Sequence, residues 1–193
     1  MAGQLHDFDH PERFVAGTVG EPGERTFYLQ ASDGARVVSI ALEKQQVAAL
    51  AERLDELLDE VRRRDGADSD IPATAPAELE DVAPLGTPIE EEFRVGALAL
   101  AWEDDSSTVL IEAQSVVLDE SGQPVAADPE GSDSTEFTGD LLRVRLNPGP
   151  ARAFAKRALR VVAAGRPPCP LCGNPLDPQG HICPRQNGHR GPH

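Results

Sequence analysis

The 193-residue chain has few aromatic residues, with one tryptophan, one tyrosine and six phenylalanines, and only three cysteines, all between Cys169 and Cys183. An odd number of thiols crowded into one segment argues against a disulfide framework and for a metal site. No stretch approaches the roughly 20 apolar residues that span a bilayer. The opening MAGQLHDFDH lacks the basic-then-apolar order of a secretory leader. The expectation is a soluble, cytoplasmic protein with no membrane contact. Also missing are G-x-S-x-G, a P-loop, a dinucleotide fingerprint and HExxH, so the sequence declares no reaction and leans away from an enzyme.

Positive charge is scarce over most of the length. Residues 1–140 carry 32 Asp/Glu against 9 Lys/Arg, a net of −23, whereas residues 141–193 carry Asp177 alone against 9 Lys/Arg, a net of +8. The acidic part repels phosphate backbones at long range, so any nucleic-acid contact is confined to the basic end. The basic end either docks on the acidic body of its own chain or meets an external partner.

The first block, residues 1–64, reads as three strands and a helix. Arg13–Gly17 is a short extended run, Glu21–Glu24 places Pro then Gly at the centre of a turn, and Arg25–Gln30 follows. Asp33-Gly34 tolerates the positive φ of a tight hairpin and leads into Arg36–Leu42. Alternation turns Phe27, Leu29, Val38, Ile40 and Leu42 inward and leaves Tyr28, Gln30 and Ser39 on the outer face. Val47, Leu50, Leu54, Leu57, Leu58 and Val61 then recur at helical spacing, and Arg62, Arg63 and Arg64 complement the helix's negative pole.

Residues 65–88, with four prolines and no aromatic residue, read as a linker or long loop. Residues 89–165 read as a return of the first pattern: strands over 93–102, 108–118 and 141–146, an acidic loop at 119–139, and a helix opened by Asn147-Pro148. The expected fold class is α+β: two βββα half-repeats forming one antiparallel sheet with both helices packed on it, plus a small C-terminal zinc-knuckle module over 166–193.

That module is the strongest chemical signal. Cys169 and Cys172 stand at C-x₂-C spacing, Cys183 supplies a third sulfur, and either His181 or His189 completes a tetrahedral Zn²⁺ site. His181 is preferred because His-x-Cys brings both side chains to one side of an extended segment. A closed Cys₃His set leaves no open position, so the site is structural and not catalytic. Redox-active or unligated thiols are the competing readings, the first disfavoured by Pro170, Pro175 and Pro178. Zinc would also order a tail holding seven prolines in residues 165–193.

A second constellation is basic. Arg152, Lys156 and Arg160 lie four apart on the last helix, widened by Arg157, while Arg143 and Arg145 face outward from the preceding strand. With Tyr28 they make a candidate stacking and phosphate-contacting surface, though a solvated helix face is the plainer reading. His6-Asp7-Phe8-Asp9-His10 looks like a metal cluster, yet a frayed terminus explains it more simply.

HDFDHPERFVAGTVGEPGERTFYLQA, LEKQQVAALAERLDELLDEV and the ending CPLCGNPLDPQGHICPRQNGH together resemble an uncharacterised actinobacterial family of about this length, classed as a domain of unknown function. The resemblance implies a zinc quartet at Cys169, Cys172, His181 and Cys183 and brings no activity with it. The leading expectation is thus a non-enzymatic, zinc-containing binding or adaptor protein with a protein partner. The alternatives are a single-strand nucleic-acid binder using the basic half and an enzyme acting on a phosphorylated metabolite.

Overall fold

In the computed structural model, which describes residues 3–21, 23–118, 124–125, 139–164 and 171, the strands are β1 (Leu5–Asp9), β2 (Arg13–Val19), β3 (Thr26–Asp33), β4 (Arg36–Leu42), β5 (Glu91–Glu103), β6 (Thr108–Ser115), β7 (Val117–Leu118), β8 (Pro124–Val125) and β9 (Leu141–Leu146). Two long helices, α1 (Lys44–Asp65) and α2 (Pro148–Ala163), follow β4 and β9. Seven strands form one sheet in the order β1-β9-β6-β5-β4-β3-β2, and β7 and β8 pair separately.

Local chemistry sets the tight corners. Gly34, at φ +57°, closes the β3–β4 hairpin, and the Glu24 N–H donates to the Glu21 carbonyl across the turn after β2. Helix α1 begins where the Glu43 N–H donates to Gln46 Oε1 and ends on Arg62, Arg63 and Arg64 ahead of Gly66 at φ +65°. The Asn147 side chain makes no capping bond at α2, so that start rests on Pro148 at the first helical position.

The sheet is mixed, not wholly antiparallel as expected. Helix α1 carries the chain back to the end where β4 began, and β5 therefore lies parallel to β4. The second parallel pair joins β1 to β9 in the register Leu5–Leu141 to Asp9–Arg145. Residues 5–9 are thus an edge strand and not a frayed end: Phe8 is 2% exposed and His6 5%. Both helices contact each other and share one core with the sheet, in which Leu29, Ile40, Leu54, Leu58, Ile111 and Val144 are fully buried. Each such side chain contributes about 1.5–3 kcal/mol. Among the described residues no helix is long and apolar enough to cross a membrane.

The segment expected as a linker or long loop is a loop that straps the body. After Ile71 enters the core, residues 79–84 pass α2 and the edge of β2, and residues 85–86 cross the sheet's other face. Leu85 lies so close over Gly17 that a Cβ there would meet its side chain at 2.6 Å. Gln30 then behaves like a strand partner: its Oε1 accepts from the Gly86 N–H at 2.7 Å, and its Nε2 donates to the Gly86 carbonyl and Ser39 Oγ, each at 3.0 Å. Gln30 and Ser39 lie on the outer face as the alternation implies, but the strap covers Gln30 there and Ser39 pairs with it, and both are 2% exposed.

Gln30→Ala leaves the Gly86 backbone and the Ser39 hydroxyl short of partners, and should cost about 1–3 kcal/mol in urea unfolding. A loss no larger than that of an exposed substitution would mean the strap does not hold to the sheet.

Candidate functional site

Where the strap passes α2 it meets a cluster of four cations. Arg157 comes from a buried position on α2, Lys156 and Arg160 from exposed ones, and Arg13 from the start of β2. The Arg157 guanidinium donates through Nε to the Ala16 carbonyl at 2.9 Å, through Nη1 to Asp81 Oδ1 at 2.6 Å and the Asp81 carbonyl at 2.8 Å, and through Nη2 to the Ala83 carbonyl at 2.7 Å. Arg13 grips the other side of the same carboxylate, Nε to Oδ2 at 2.6 Å and Nη2 to Oδ1 at 3.1 Å, and reaches the carbonyls of Ala83 and Pro84. Arg160 and Lys156 both pair with Glu80. A helix, an edge strand and the strap are fastened at one point.

Protonation follows from that geometry. The Arg13 hydrogen bond is the main reason the Asp81 carboxyl is held below its ordinary range, with the Ala83 N–H and the charges of Arg13 and Arg157 adding to it against the cost of burial. Burial pushes the Arg157 guanidinium below its usual value even though Asp81 pulls it up. The two partners therefore do not shift symmetrically. Desolvation governs the deeply placed arginine and hydrogen bonding the shallower aspartate, and both stay charged at neutral pH.

The basic residues singled out in the sequence are all placed, but not as one surface. Arg152 and Arg157 were expected on a solvent-facing stripe with Lys156 and Arg160; instead they are 4% and 7% exposed, and the stripe splits into a buried and an exposed pair. Arg152 lies against α1, donating to Asp55 and Asp59 and to the carbonyls of Asp55 and Pro72. Arg143 pairs with Glu112 at 2.7 Å, and Arg145 bridges Glu103 and Asp7. Tyr28, half-buried on β3, is separated from β9 in the sheet by β4, β5 and β6, so it does not adjoin the β9 arginines within the sheet.

Cys169, Cys172, His181, Cys183 and His189 lie outside the described residues. Among the described residues no group of three or more His, Cys, Asp or Glu side chains is arranged to hold a metal. In the His6–His10 stretch the two histidines part company: His6 is buried with its ring centroid 6.3 Å from that of Phe93, and His10 sits 3.6 Å from Asp9 at the surface. No pattern in the sequence marks Arg13, Glu80 or Asp81 as a site. The only hint of them was an acidic Ala77–Asp81 run inside a proline-rich stretch.

These features define an α+β protein whose sheet edge, helix and strap are joined by an arginine–aspartate clasp. The chain matches the family described as "Protein of unknown function (DUF3090)" over residues 6–183, and it belongs to that family. No curated protein and no solved structure matches it.

Breaking the clasp should be costly where it is buried and cheap where it is not. Arg157→Met takes the side-chain donor from the Ala16 carbonyl and leaves Asp81 to Arg13 alone among the guanidinium groups on its carboxylate; it is expected to lose about 1–3 kcal/mol, against under about 1 kcal/mol for Arg160→Met. Denaturant unfolding of both variants checks the contrast.

Because Asp81 is depressed in the folded state, the unfolded chain binds its proton more readily. Its contribution is complete above the ordinary carboxyl value of about 3.9 and is lost as pH falls through the folded value. Asp81→Asn should lower stability at pH 7 and flatten the acid limb of the stability–pH curve. An unchanged acid limb would contradict the assignment.

Proposed function

We propose that the chain is a non-enzymatic binding or adaptor protein, in which the sheet and helices form a scaffold and the cysteine-rich tail holds a structural Zn²⁺ and engages a protein partner. The supporting observation is internal pairing. Arg143, Arg145, Arg152, Lys156, Arg157 and Arg160 each meet a carboxylate of this same chain. A nucleic acid would have to displace those carboxylates, two of them from arginines under one-tenth exposed, so the body is better suited to holding itself together than to gripping a phosphate backbone.

The tail's donor set fits zinc. Three thiolates and one imidazole are soft and borderline ligands in the number a closed tetrahedral site takes, with Cys169, Cys172 and Cys183 as the sulfurs and His181 preferred over His189. Zinc bound there would replace the hydrophobic core that so proline-rich a segment lacks. Reduced thiolates of this kind suit a cytoplasmic location. We read β2–α1 and, apart from the β7–β8 pair, β5–α2 as βββα half-repeats to which β1 is added: the third strand of each, β4 and β9, has a parallel neighbour, β5 and β1.

Elemental analysis of the purified chain is expected to give one zinc per chain, lost in Cys172→Ser and after truncation at Gly165, with the melting temperature of the body retained. Single-stranded RNA or DNA should cause no mobility shift at low salt. Absence of zinc with three titratable thiols would overturn the tail reading, and a salt-sensitive complex would favour the nucleic-acid reading instead.

A further inference from the structure

A cleft of about 150 Å³ opens beside the clasp, between the start of β2 and the first two turns of α2. Its apolar lining includes Phe14, Leu146, Pro150 and Phe154, and the two phenylalanine rings stack with centroids 4.5 Å apart. A cavity of roughly 150 Å³ is large enough for benzene, so this one takes a single ring or an equally compact apolar group. Small-ligand sites commonly have this composition, an apolar lining with a few placed polar groups.

Arg13 supplies the polar group. It lines the cleft, and while Nε and Nη2 are engaged by Asp81, Ala83 and Pro84, its Nη1 makes no hydrogen bond among the described residues. A guanidinium nitrogen with donors to spare beside an apolar lining matches an anion carried on an apolar body. The charge of that anion is limited by its neighbours. Glu12 and Asp81 line the same cleft, and a second negative charge about 4 Å from either would cost from about 1 to 4 kcal/mol, depending on local screening. A singly charged carboxylate fits better than a phosphate dianion.

We propose that this cleft binds a monocarboxylate with a compact apolar or aromatic body, its carboxylate on Arg13 Nη1 and its apolar part against Leu79 and Pro150, the exposed apolar residues of the lining. The proposal goes beyond the zinc-tail reading and does not rest on it. A free aryl or alkyl acid and the C-terminal carboxylate of a peptide ending in phenylalanine present the same chemistry.

The test is a titration of the full chain followed by amide ¹H–¹⁵N spectra, with phenylacetate, benzyl alcohol, inorganic phosphate, and a short peptide ending in phenylalanine. Phenylacetate is expected to give saturable, millimolar shifts at Arg13, Phe14 and Leu79, with benzyl alcohol and phosphate binding at least about tenfold more weakly. Ala153→Phe fills the cleft from a half-buried helix position; it should abolish the shifts while the melting temperature is kept. A peptide binding as tightly as phenylacetate assigns the ligand to a chain terminus, and a weaker one assigns it to a free acid. Shifts that do not saturate, equal binding of benzyl alcohol or phosphate, or binding that survives Ala153→Phe would each overturn the proposal.

Discussion

The guanidinium of Arg157 is the point on which the architecture depends. An edge strand exposes a row of unpaired backbone groups, and here the edge is β2. Arg157 reaches from α2 to take one of those carbonyls, at Ala16, and with its remaining donors pins the strap at Asp81 and Ala83. One side chain thereby ties together elements far apart in sequence. The opposite edge uses the same device on a smaller scale: Arg36 donates to the Asp7 carbonyl of β1 and sits 4.2 Å over the ring of Phe8.

The division of charge along the chain follows from this arrangement. A body so rich in carboxylates would repel itself if they stood alone. Instead Asp55 and Asp59 of α1 face Arg152 of α2, Glu112 faces Arg143 across neighbouring strands, and Asp81 lies between Arg13 and Arg157. The exposed pairs, such as Arg160 with Glu80, add little individually. The buried ones fix geometry, because a charge left there without its partner costs more than the pair contributes.

The parts of the fold legible in the sequence are those decided locally. The Asp33-Gly34 hairpin, the apolar face from Val47 to Val61, the Leu141–Leu146 strand and the helix opening after Asn147 all rest on patterns within a few residues. The strap was not legible, since Ala77–Gly86 has no periodicity of its own and its order comes from Arg13, Gln30 and Arg157, which lie 56 to 76 residues away for the bonds that hold it. Nor was the parallel pairing of β1 with β9, which joins residues more than 130 positions apart. The α2 stripe misled for a related reason. Helical spacing shows which residues share a face, but not whether aspartates on another helix will bury that face's arginines.

For the candidate site, the sequence raises a metal-ligand set at Cys169, Cys172 and Cys183, which lie outside the described residues, whereas the clasp and the cleft exist only once distant segments meet. Through the bonds of Arg157 and Gln30, residues 79–86 are part of the folded body. Native-state hydrogen exchange at the amides of Ala83, which donates to Asp81, and Gly86, which donates to Gln30, addresses it directly. Both are expected to exchange slowly, with protection approaching that of the β2 and β3 amides, and Arg157→Lys is expected to weaken strap and β2 edge together. Rapid exchange at Ala83 and Gly86 while β2 stays protected would show a loose linker and contradict that expectation.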